Sequence, residues 1–412
     1  MKTGVLTYHA GSNFGANLQA LSTVGYLKKH RFDPIIINWV PKEFEKWTAQ
    51  RVPTIQTEAH RLFCAKYLPM TNICRNDTDV AAEIQRNGID NVFIGSDALW
   101  NYFPESRRKK FTIHPLRWEI TSPDHDFPNP FWGVFDQPVS EISRVAFSVS
   151  CQNTPYYLVE GKLKKTIGTC LLQFKHITVR DEWTKQLVKY FTDGAVSPDI
   201  TPDPVFAFNN NVETVLTKEY IQNKYRLNDK YILASFLHPK FDAVWAKEFE
   251  KLCNADGYQC VAFPFPEKLL SFDFDSKIEL PLDPLEWYYL IKYSSGYVGE
   301  RMHPIVVSLH NAVPFFCYDN YGVEHRSRWL KYIIPATPNQ IQKSIQSSKT
   351  FDIVQKAGFL DNYYNYNSQT LLPSPSEVYE KLVNFDSVKC KIFADTMTYN
   401  YNKSMNFILS KS

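Results

Sequence analysis

Gly4-Val5-Leu6-Thr7-Tyr8, with the loop His9 to Ala16 that follows it, decides the fold class of this chain. The first stretch is a short apolar strand, and the loop is rich in glycine, serine and asparagine. Apolar side chains then recur at helical spacing, at Leu18, Leu21, Val24 and Leu27. Ile35-Ile36-Ile37 is apolar on both faces, as in a buried strand. A strand, a loop, a helix and a buried strand form a βαβ unit, which predicts a parallel α/β sheet.

The same alternation continues along both halves of the chain. Further strands are predicted at Asn91 to Ile94, Arg144 to Ser150, His176 to Val179, Tyr231 to Leu237, Gln259 to Phe263, Gly296 to Gly299 and Val313 to Tyr318. Helices are predicted at Ala243 to Leu252, at Pro284 to Tyr293, from Pro304 to Leu309, and after the helix-start signal Ser374-Pro375. Because 412 residues exceed what one hydrophobic core usually serves, two domains are expected.

The predicted domain boundary lies at Asp203-Pro204 and the asparagine run after it. We expect residues 1–207 to form an N-terminal Rossmann-like domain, with an insertion at 101–143. Residues 208–385 should form a second Rossmann-like domain. Residues 386–412 are expected to form a helical tail that packs back on the first domain. Two such domains would face a cleft, where ligands bind at the carboxyl ends of strands.

Composition excludes several classes of protein. The net charge is +3 with both signs interspersed, which argues against a nucleic-acid footprint. The eight cysteines form no C-x-x-C pair, so reduced thiols in a cytoplasmic protein are expected. The opening residues show no secretory signal, and no apolar run is long enough to span a bilayer. Neither a His-x-x-x-His pattern nor a calcium loop occurs, so no metal and no cofactor are predicted.

Two segments of the first half could carry chemistry. The loop Ala10 to Asn17 leads into a helix, and the backbone N–H groups at a helix start can bind an anion. The alternative is that the glycines serve only to form a tight turn. Asp97, in Gly95-Ser96-Asp97 after a predicted strand, either caps the next helix or accepts a proton from a substrate hydroxyl. The basic run Arg107 to Lys110 is a solvated face or a contact for anionic lipid or a pyrophosphate-linked acceptor.

Two arginines follow predicted strands. Arg180 precedes two acids that could open a helix, and it is either an anion clamp or part of an internal ion pair. Arg301 and His303 stand where a strand ending in Gly299 meets a helix start. The fork of Arg301 can bind a carboxylate or a phosphate, and the helix dipole adds to the attraction. His303 can exchange a proton near neutral pH, although a lone histidine there is usually a core residue.

At these residues the sequence resembles the polysaccharide pyruvyl transferase family. The similar stretches occur in order, at Gly4 to Ala20, Phe93 to Asn101, Val179 to Glu182, Asp203 to Phe206, and Asp283 through Arg301-Met302-His303 to Pro314. The resemblance implies a fold like that of GT-B glycosyltransferases, with residues 1–207 on the acceptor side and residues 208–385 on the donor side. It also implies that phosphoenolpyruvate is the donor substrate, bound by Arg180, Arg301, His303 and Gly299. The 101–143 segment departs from many relatives.

The implied reaction moves the enolpyruvyl group of phosphoenolpyruvate onto two hydroxyls of a sugar, as a ketal. His303, Arg301 and Asp97 are its expected catalytic residues, and residues Asn13, Gly15, Asn17, Ser96 and Trp100 are expected beside the acceptor. The setting implied is capsule or exopolysaccharide synthesis, in the cytoplasm or at the inner membrane face, on an oligosaccharide or lipid-diphosphate-linked acceptor. Two other functions stay open: a nucleotide-sugar-dependent glycosyltransferase, and an inert glycan-binding relative.

Overall fold

The computed structural model describes residues 1–102, 110–113, 116–119, 122–236, 241–269, 274–320, 347–367 and 371–411. These residues form two compact units. The first contains Met1–Glu213 and Thr398–Ser412, and the second contains Thr214–Met397. The basic run that begins at Arg107 lies outside the described residues, apart from the backbone of Lys110.

The first unit is built on a six-stranded parallel sheet with the strand order β2-β1-β3-β6-β7-β8. Its strands are β1 (Lys2–Leu6), β2 (Asp33–Ile36), β3 (Asn91–Ile94), β6 (Ser143–Val149), β7 (His176–Val179) and β8 (Asp199–Ile200). An antiparallel pair, β4 (Lys110–Ile113) and β5 (Leu116–Glu119), lies within the predicted insertion.

The helices of the first unit connect these strands. They are α1 (Phe14–Lys29), α2 (Lys42–Ala49), α3 (Thr54–Tyr67), α4 (Asp77–Arg86), α5 (Gly161–Leu171), α6 (Glu182–Phe191) and α7 (Phe208–Asn211). Helix α1 ends at Lys29, where Lys28 and Lys29 complement the helix dipole. Strand β1 ends at Leu6, not at Tyr8 as predicted. Directly after it, the Thr7 hydroxyl donates to the Ser96 carbonyl at 2.7 Å.

The second unit has a six-stranded parallel sheet of its own, with the order β11-β10-β9-β12-β13-β14. Its strands are β9 (Tyr231–Ser235), β10 (Gln259–Ala262), β11 (Ser276–Lys277), β12 (Gly296–Glu300), β13 (Phe315–Asp319) and β14 (Tyr363–Asn365). Its helices are α8 (Lys218–Tyr225), α9 (Ala243–Ala255), α10 (Pro284–Tyr293), α11 (Met302–His310), α12 (Lys349–Ala357) and α13 (Pro375–Val383). Helix α14 (Ser387–Lys411) follows, and its residues from Thr398 onward belong to the first unit.

Each sheet is buried on both faces by the helices that connect its strands. The strand residues of β3, Asn91–Ile94, are all buried, and so are those of β9 and β13. This explains why the strands read as continuous apolar runs and not as alternating ones. The predicted α/β class, with two Rossmann-like sheets, is therefore confirmed.

Each sheet has a topological switch point, where the chain stops adding strands on one side and continues on the other. In the first sheet this point lies between β1 and β3, and in the second it lies between β9 and β12. In open parallel sheets, ligands bind at the carboxyl ends of the strands beside such a point. The residues that leave β1, β3, β9 and β12 are therefore the first places to look for a site.

Candidate active site

Asp97 follows β3 at the switch point of the first sheet. It is 5% exposed, and its φ of 138° is uncommon for a residue other than glycine. No helix begins between Asp97 and Tyr102, the described residues directly after it, so Asp97 caps none of the described helices. Instead Oδ1 accepts the N–H of Ala98 at 2.7 Å, and the main chain bridges to Val149 of β6. The fold thus holds a carboxylate in an unusual backbone conformation at the edge where a ligand is expected.

Arg180 follows β7 and is buried between carboxylates. Its Nη1 lies 2.7 Å from Asp203 Oδ2, and its Nη2 lies 3.7 Å from Asp97 Oδ1. Burial lowers the pKa of the guanidinium, but the surrounding carboxylates more than offset this, so that the pKa is raised above its ordinary value. The ion-pair interpretation of Arg180 is confirmed, although the partners are not the acids next to it in sequence.

The two acids after Arg180 open helix α6, as predicted. Asp181 is the N-cap, and its Oδ1 accepts the N–H of Thr184 at 2.7 Å. Its other carboxylate oxygen accepts from the Ser150 hydroxyl at 2.7 Å. These contacts fix the main chain on both sides of Arg180, so the guanidinium has a defined position.

The loop before α1 is organised by its own asparagines. Asn13 is the N-cap, and its Oδ1 accepts the N–H of Ala16 at 3.3 Å. The buried Asn17 amide donates to the His9 carbonyl at 2.7 Å and lies 2.6 Å from His60 Nδ1. Gly15 is buried in the first turn of α1. These contacts give the loop a structural role, and acceptor binding by its residues stays a prediction.

Ser96 and Trp100 are buried in the first unit. Trp100 has no exposed surface, and its indole N–H donates to the Phe131 carbonyl at 2.9 Å while its ring stacks on Trp132. Ser96 is 1% exposed, and its carbonyl accepts from Thr7. Their predicted place beside an acceptor is untested, and their observed contacts are those of core residues.

Arg301 stands at the switch point of the second sheet, between β12 and α11. It is the N-cap of α11 with a φ of 77°, and its side chain makes no capping hydrogen bond. The guanidinium lies over the Phe265 ring, 4.6 Å from its centre, and Nη2 is 2.9 Å from Glu267 Oε1. The side chain is 40% exposed, so the fork is positioned by these two contacts and still reaches solvent.

His303 lies in the first turn of the same helix, two residues from Arg301, and is 9% exposed. Gly299 is required by packing, because a Cβ there would lie 2.3 Å from the Ser235 carbonyl oxygen of β9. The Tyr297 hydroxyl donates to the Glu300 carbonyl at 2.9 Å and so fixes the strand end that carries Arg301. The predicted trio of Gly299, Arg301 and His303 is therefore brought together at one strand-to-helix junction.

Several neighbours of these groups were not predicted. They are Asp203 beside Arg180, Phe265 and Glu267 beside Arg301, and Tyr8 and Asp124 near the end of β1. Asp203 was noticed only as a boundary and a family landmark. The others carry no local signal, because each contact joins segments that are distant along the chain.

Within the described ranges, no group of three or more histidine, cysteine, aspartate or glutamate side chains could hold a metal ion. All eight cysteines are free thiols in the structure. The helices of the described residues include none that is both long enough and apolar enough to cross a membrane.

The fold and these groups define a two-unit α/β protein with charged side chains at the switch point of each sheet. The family model of the polysaccharide pyruvyl transferases matches residues 13–321. The chain therefore belongs to the polysaccharide pyruvyl transferase family, a family of transferases. A comparison with curated proteins gave no match.

Among solved structures, the chain is similar to the UDP co-structure of S. aureus MnaA, at 12% identity and a TM-score of 0.49, covering 99% of this chain and 96% of that one. It is also similar to the UDP-GlcNAc 2-epimerase from Methanocaldococcus jannaschii, at 10% identity and a TM-score of 0.48, covering 97% and 100%. The E. coli ADP-heptose lps heptosyltransferase II is similar at 10% identity and a TM-score of 0.37, with 98% of this chain and 100% of that chain covered. Similarities at these identities and TM-scores give no information on the donor or the acceptor substrate of this protein.

Proposed function

We propose that this protein transfers the enolpyruvyl group of phosphoenolpyruvate to two hydroxyls of a sugar, forming a cyclic ketal in bacterial surface polysaccharide synthesis. The observation that carries the proposal is the junction of β12 and α11, where Arg301 and His303 stand together at a switch point. Family membership supports a pyruvyl group as the unit transferred.

The surroundings of Arg301 suit a dense anion. Phosphoenolpyruvate carries a carboxylate and a phosphate, and a guanidinium fork can bind either in a bidentate manner. Phe265 and Glu267 hold the fork in one orientation, so less side-chain freedom is lost when an anion binds. The amino end of α11 adds a positive dipole at the same place. We assign donor binding to Arg301, with His303 and Gly299 beside it.

The reaction balances without a redox partner. A proton is added to C3 of phosphoenolpyruvate, which leaves C2 with oxocarbenium character, and one sugar hydroxyl attacks C2 and loses its proton. A second hydroxyl of the same sugar then attacks C2, the C2–O bond to phosphate breaks, and the hydroxyl proton leaves with the phosphate, which closes the ketal. We assign the proton transfer at C3, or to the departing phosphate, to His303.

The proton of the attacking hydroxyl needs an acceptor, and we assign this role to Asp97. Its carboxylate is fixed by the Ala98 N–H and by Arg180, and it lies at the switch point of the first sheet. Arg180 therefore has two proposed roles. It positions the Asp97 carboxylate on the acceptor side, and it also binds the donor. The acceptor is an oligosaccharide or a lipid-diphosphate-linked sugar, reached in the cytoplasm or at the inner membrane face.

Turnover of labelled donor tests the proposal. The purified protein is incubated with phosphoenolpyruvate labelled with 13C at C3 and with methyl glycosides of glucose, galactose, mannose and N-acetylglucosamine. We expect phosphate release together with a ketal methyl signal on a sugar. His303→Ala should abolish both signals while the thermal midpoint is kept. His310→Gln, at the other end of α11 and half-buried, is the matched control and should remain active.

Two results would count against the proposal. Normal turnover by His303→Ala would remove His303 from the chemistry. Consumption of a UDP-sugar in place of phosphoenolpyruvate would identify a glycosyltransferase, and turnover of neither donor would favour an inert glycan-binding protein.

A further inference from the structure

An apolar turn, Tyr156–Leu158, lies at the surface of the first unit. It is a single turn of 3₁₀ helix between β6 and α5, and none of its three side chains is buried. Leu158 is 56% exposed, and Tyr156 and Tyr157 are partly exposed. Single apolar residues are common on protein surfaces, whereas adjacent ones form a patch of the kind that contacts a partner or a membrane.

Helix α6 fixes this turn from both sides. The indole N–H of Trp183 donates to the Thr154 carbonyl at 3.0 Å, before the turn. The Tyr190 hydroxyl donates to the Val159 carbonyl at 3.0 Å, after it. Because the backbone is held on both sides of the turn, the fold itself presents Leu158 to the outside.

Aromatic rings surround the exposed leucine. Tyr156 and Tyr157 pack against Trp183, with ring centres 5.2 Å and 6.3 Å from the indole, and all three side chains are partly exposed. Tyrosine and tryptophan have an apolar ring with a polar edge, and they concentrate at the level of lipid headgroups, where hydrocarbon meets water. An aliphatic side chain beside them can enter the hydrocarbon.

Lysines follow the apolar turn directly. Helix α5 has Lys162, Lys164 and Lys165 among its first five residues, and its sequence contains no acid. A helix dipole favours cations at the carboxyl end and not at the amino end, so the stability of α5 does not account for these lysines. Lys162 and Lys165 are exposed, whereas Lys164 pairs with Asp193 at 2.6 Å.

The charge around the turn remains positive when its acids are included. Residues 160–165 and 182–189 carry five lysines and two glutamates, Glu160 and Glu182. With Asp193, five positive charges face three negative ones. A basic surface beside an apolar tip matches a bilayer that contains anionic lipids.

The turn lies at the sheet edge that carries Asp97. It follows the carboxyl end of β6, and the N–H of Ser150, in the same loop, donates to the Asp97 carbonyl at 2.8 Å. Trp183 is three residues beyond Arg180. A membrane that contacts this turn would therefore lie at the edge to which we assign the acceptor.

We propose that the turn Tyr156–Leu158 and the lysines of α5 form a docking surface for an anionic membrane. Leu158 inserts between the lipids, Tyr157 and Trp183 lie among the headgroups, and Lys162 and Lys165 pair with lipid phosphates. A neutral sugar would need neither the exposed leucine nor the lysines. Membrane binding does not require phosphoenolpyruvate, whereas the delivery of a lipid-linked acceptor by this surface rests on the proposed function.

The test is co-sedimentation of the full chain with sucrose-loaded vesicles. One set is phosphatidylcholine alone, and the other is an equal mixture of phosphatidylcholine and phosphatidylglycerol. We expect binding to the mixed vesicles that weakens as salt is added. Leu158→Asn should lower the partition coefficient about tenfold, because an apolar side chain no longer enters the bilayer. Leu172→Asn is the matched control, since Leu172 is also 56% exposed but lies at the other end of α5, and should change nothing.

The lysines are tested by a double variant. Lys162→Gln with Lys165→Gln should weaken binding to the mixed vesicles by about fivefold for each lysine. Lys28→Gln with Lys175→Gln is the matched control, because these lysines are also exposed but end α1 and precede β7, at the amino edge of the sheet. It removes the same charge and should bind like the wild type. All substituted side chains are exposed, so the thermal midpoints should be kept.

Three results would overturn the proposal. They are no binding to either set of vesicles, equal binding to both sets, and equal effects of Leu158→Asn and Leu172→Asn. Binding of the four methyl glycosides without vesicles, lost in Leu158→Asn, would also overturn it and would identify a sugar surface.

The two proposals fail independently. Leu158-dependent vesicle binding without pyruvyl transfer supports the docking surface and counts against the proposed reaction. Pyruvyl transfer to a soluble glycoside by a protein that binds no vesicles supports the reaction and overturns the docking surface.

Discussion

Arg180 is the residue whose removal should be most costly to the first unit. It neutralises Asp203 and Asp97 in a site where its own side chain is 4% exposed. Arg180→Met keeps much of the volume but removes the positive charge that faces these two buried carboxylates. We expect the free energy of unfolding to fall by about 3–5 kcal/mol, measured by urea denaturation.

The matched control for this change is an exposed pair. Arg61 and Glu58 are 2.6 Å apart with side chains 64% and 49% exposed, so Arg61→Met should lower the free energy of unfolding far less than Arg180→Met does. Equal effects of the two substitutions would show that the buried pair contributes no more than a surface pair does.

Single residues also show what the sequence could reveal. Arg301 and His303 were predicted from a strand end, a glycine and a helix start, all within a few residues. The pairing of Tyr8 with Asp124 could not be predicted, because these residues are 116 positions apart and the segment around Asp124 has no repeating pattern. Local sequence patterns therefore indicate which residues lie at the end of a strand. Only the tertiary structure shows which of these residues contact one another.

At the scale of elements, we expect the contact between α1 and α3 to depend on pH. Burial lowers the pKa of His60 to about 3, and its Nδ1 donates to Asn17 Oδ1 at 2.6 Å while Nε2 has no partner among the described residues. Since the unfolded histidine has the ordinary value of 6.5, the unfolded state binds more protons between pH 6.5 and 3. The stability of the first unit should be full above pH 6.5 and fall progressively below it.

Thermal midpoints measured from pH 7.5 to 4 check this expectation. His60→Asn retains an amide N–H toward Asn17 and removes the titrating group, so its midpoint should fall less steeply with acid. An identical slope in the variant and the wild type would assign the acid sensitivity to other groups.

The last helix stabilises the first unit through Tyr401 of α14. This residue has no exposed surface, and its ring packs edge-on against Tyr26 of α1, with ring centres 5.5 Å apart. Tyr401→Ala should lower the free energy of unfolding by about 3–5 kcal/mol, because it opens a cavity in the core. Tyr401→Phe keeps the ring and should lose far less. Similar losses in the two variants would argue against ring packing as the cause.

At the scale of the whole molecule, the α/β class followed from strand runs that are apolar on both faces. The predicted bounds of β3, β7 and α10 agree with the structure residue for residue. The order of strands within each sheet could not be predicted, because it depends on long-range pairing. That order places Asp97 and Arg301 at the switch points of the two sheets. The sequence alone therefore could not show that both residues lie where a ligand is expected.

The central claim is that the folded protein binds phosphoenolpyruvate through Arg301. The most direct test is the thermal midpoint of the whole chain with phosphoenolpyruvate, and separately with UDP or a UDP-sugar. A ligand at one hundred times its Kd stabilises the folded state by about 2.7 kcal/mol. Arg226→Ala is the matched control, because Arg226 also has a positive φ but precedes β9, at the opposite edge of the same sheet.

The account predicts that phosphoenolpyruvate raises the midpoint of the wild type and of Arg226→Ala, and that Arg301→Ala abolishes the rise. A rise with UDP or a UDP-sugar alone, or a rise with phosphoenolpyruvate that survives in Arg301→Ala, would contradict it.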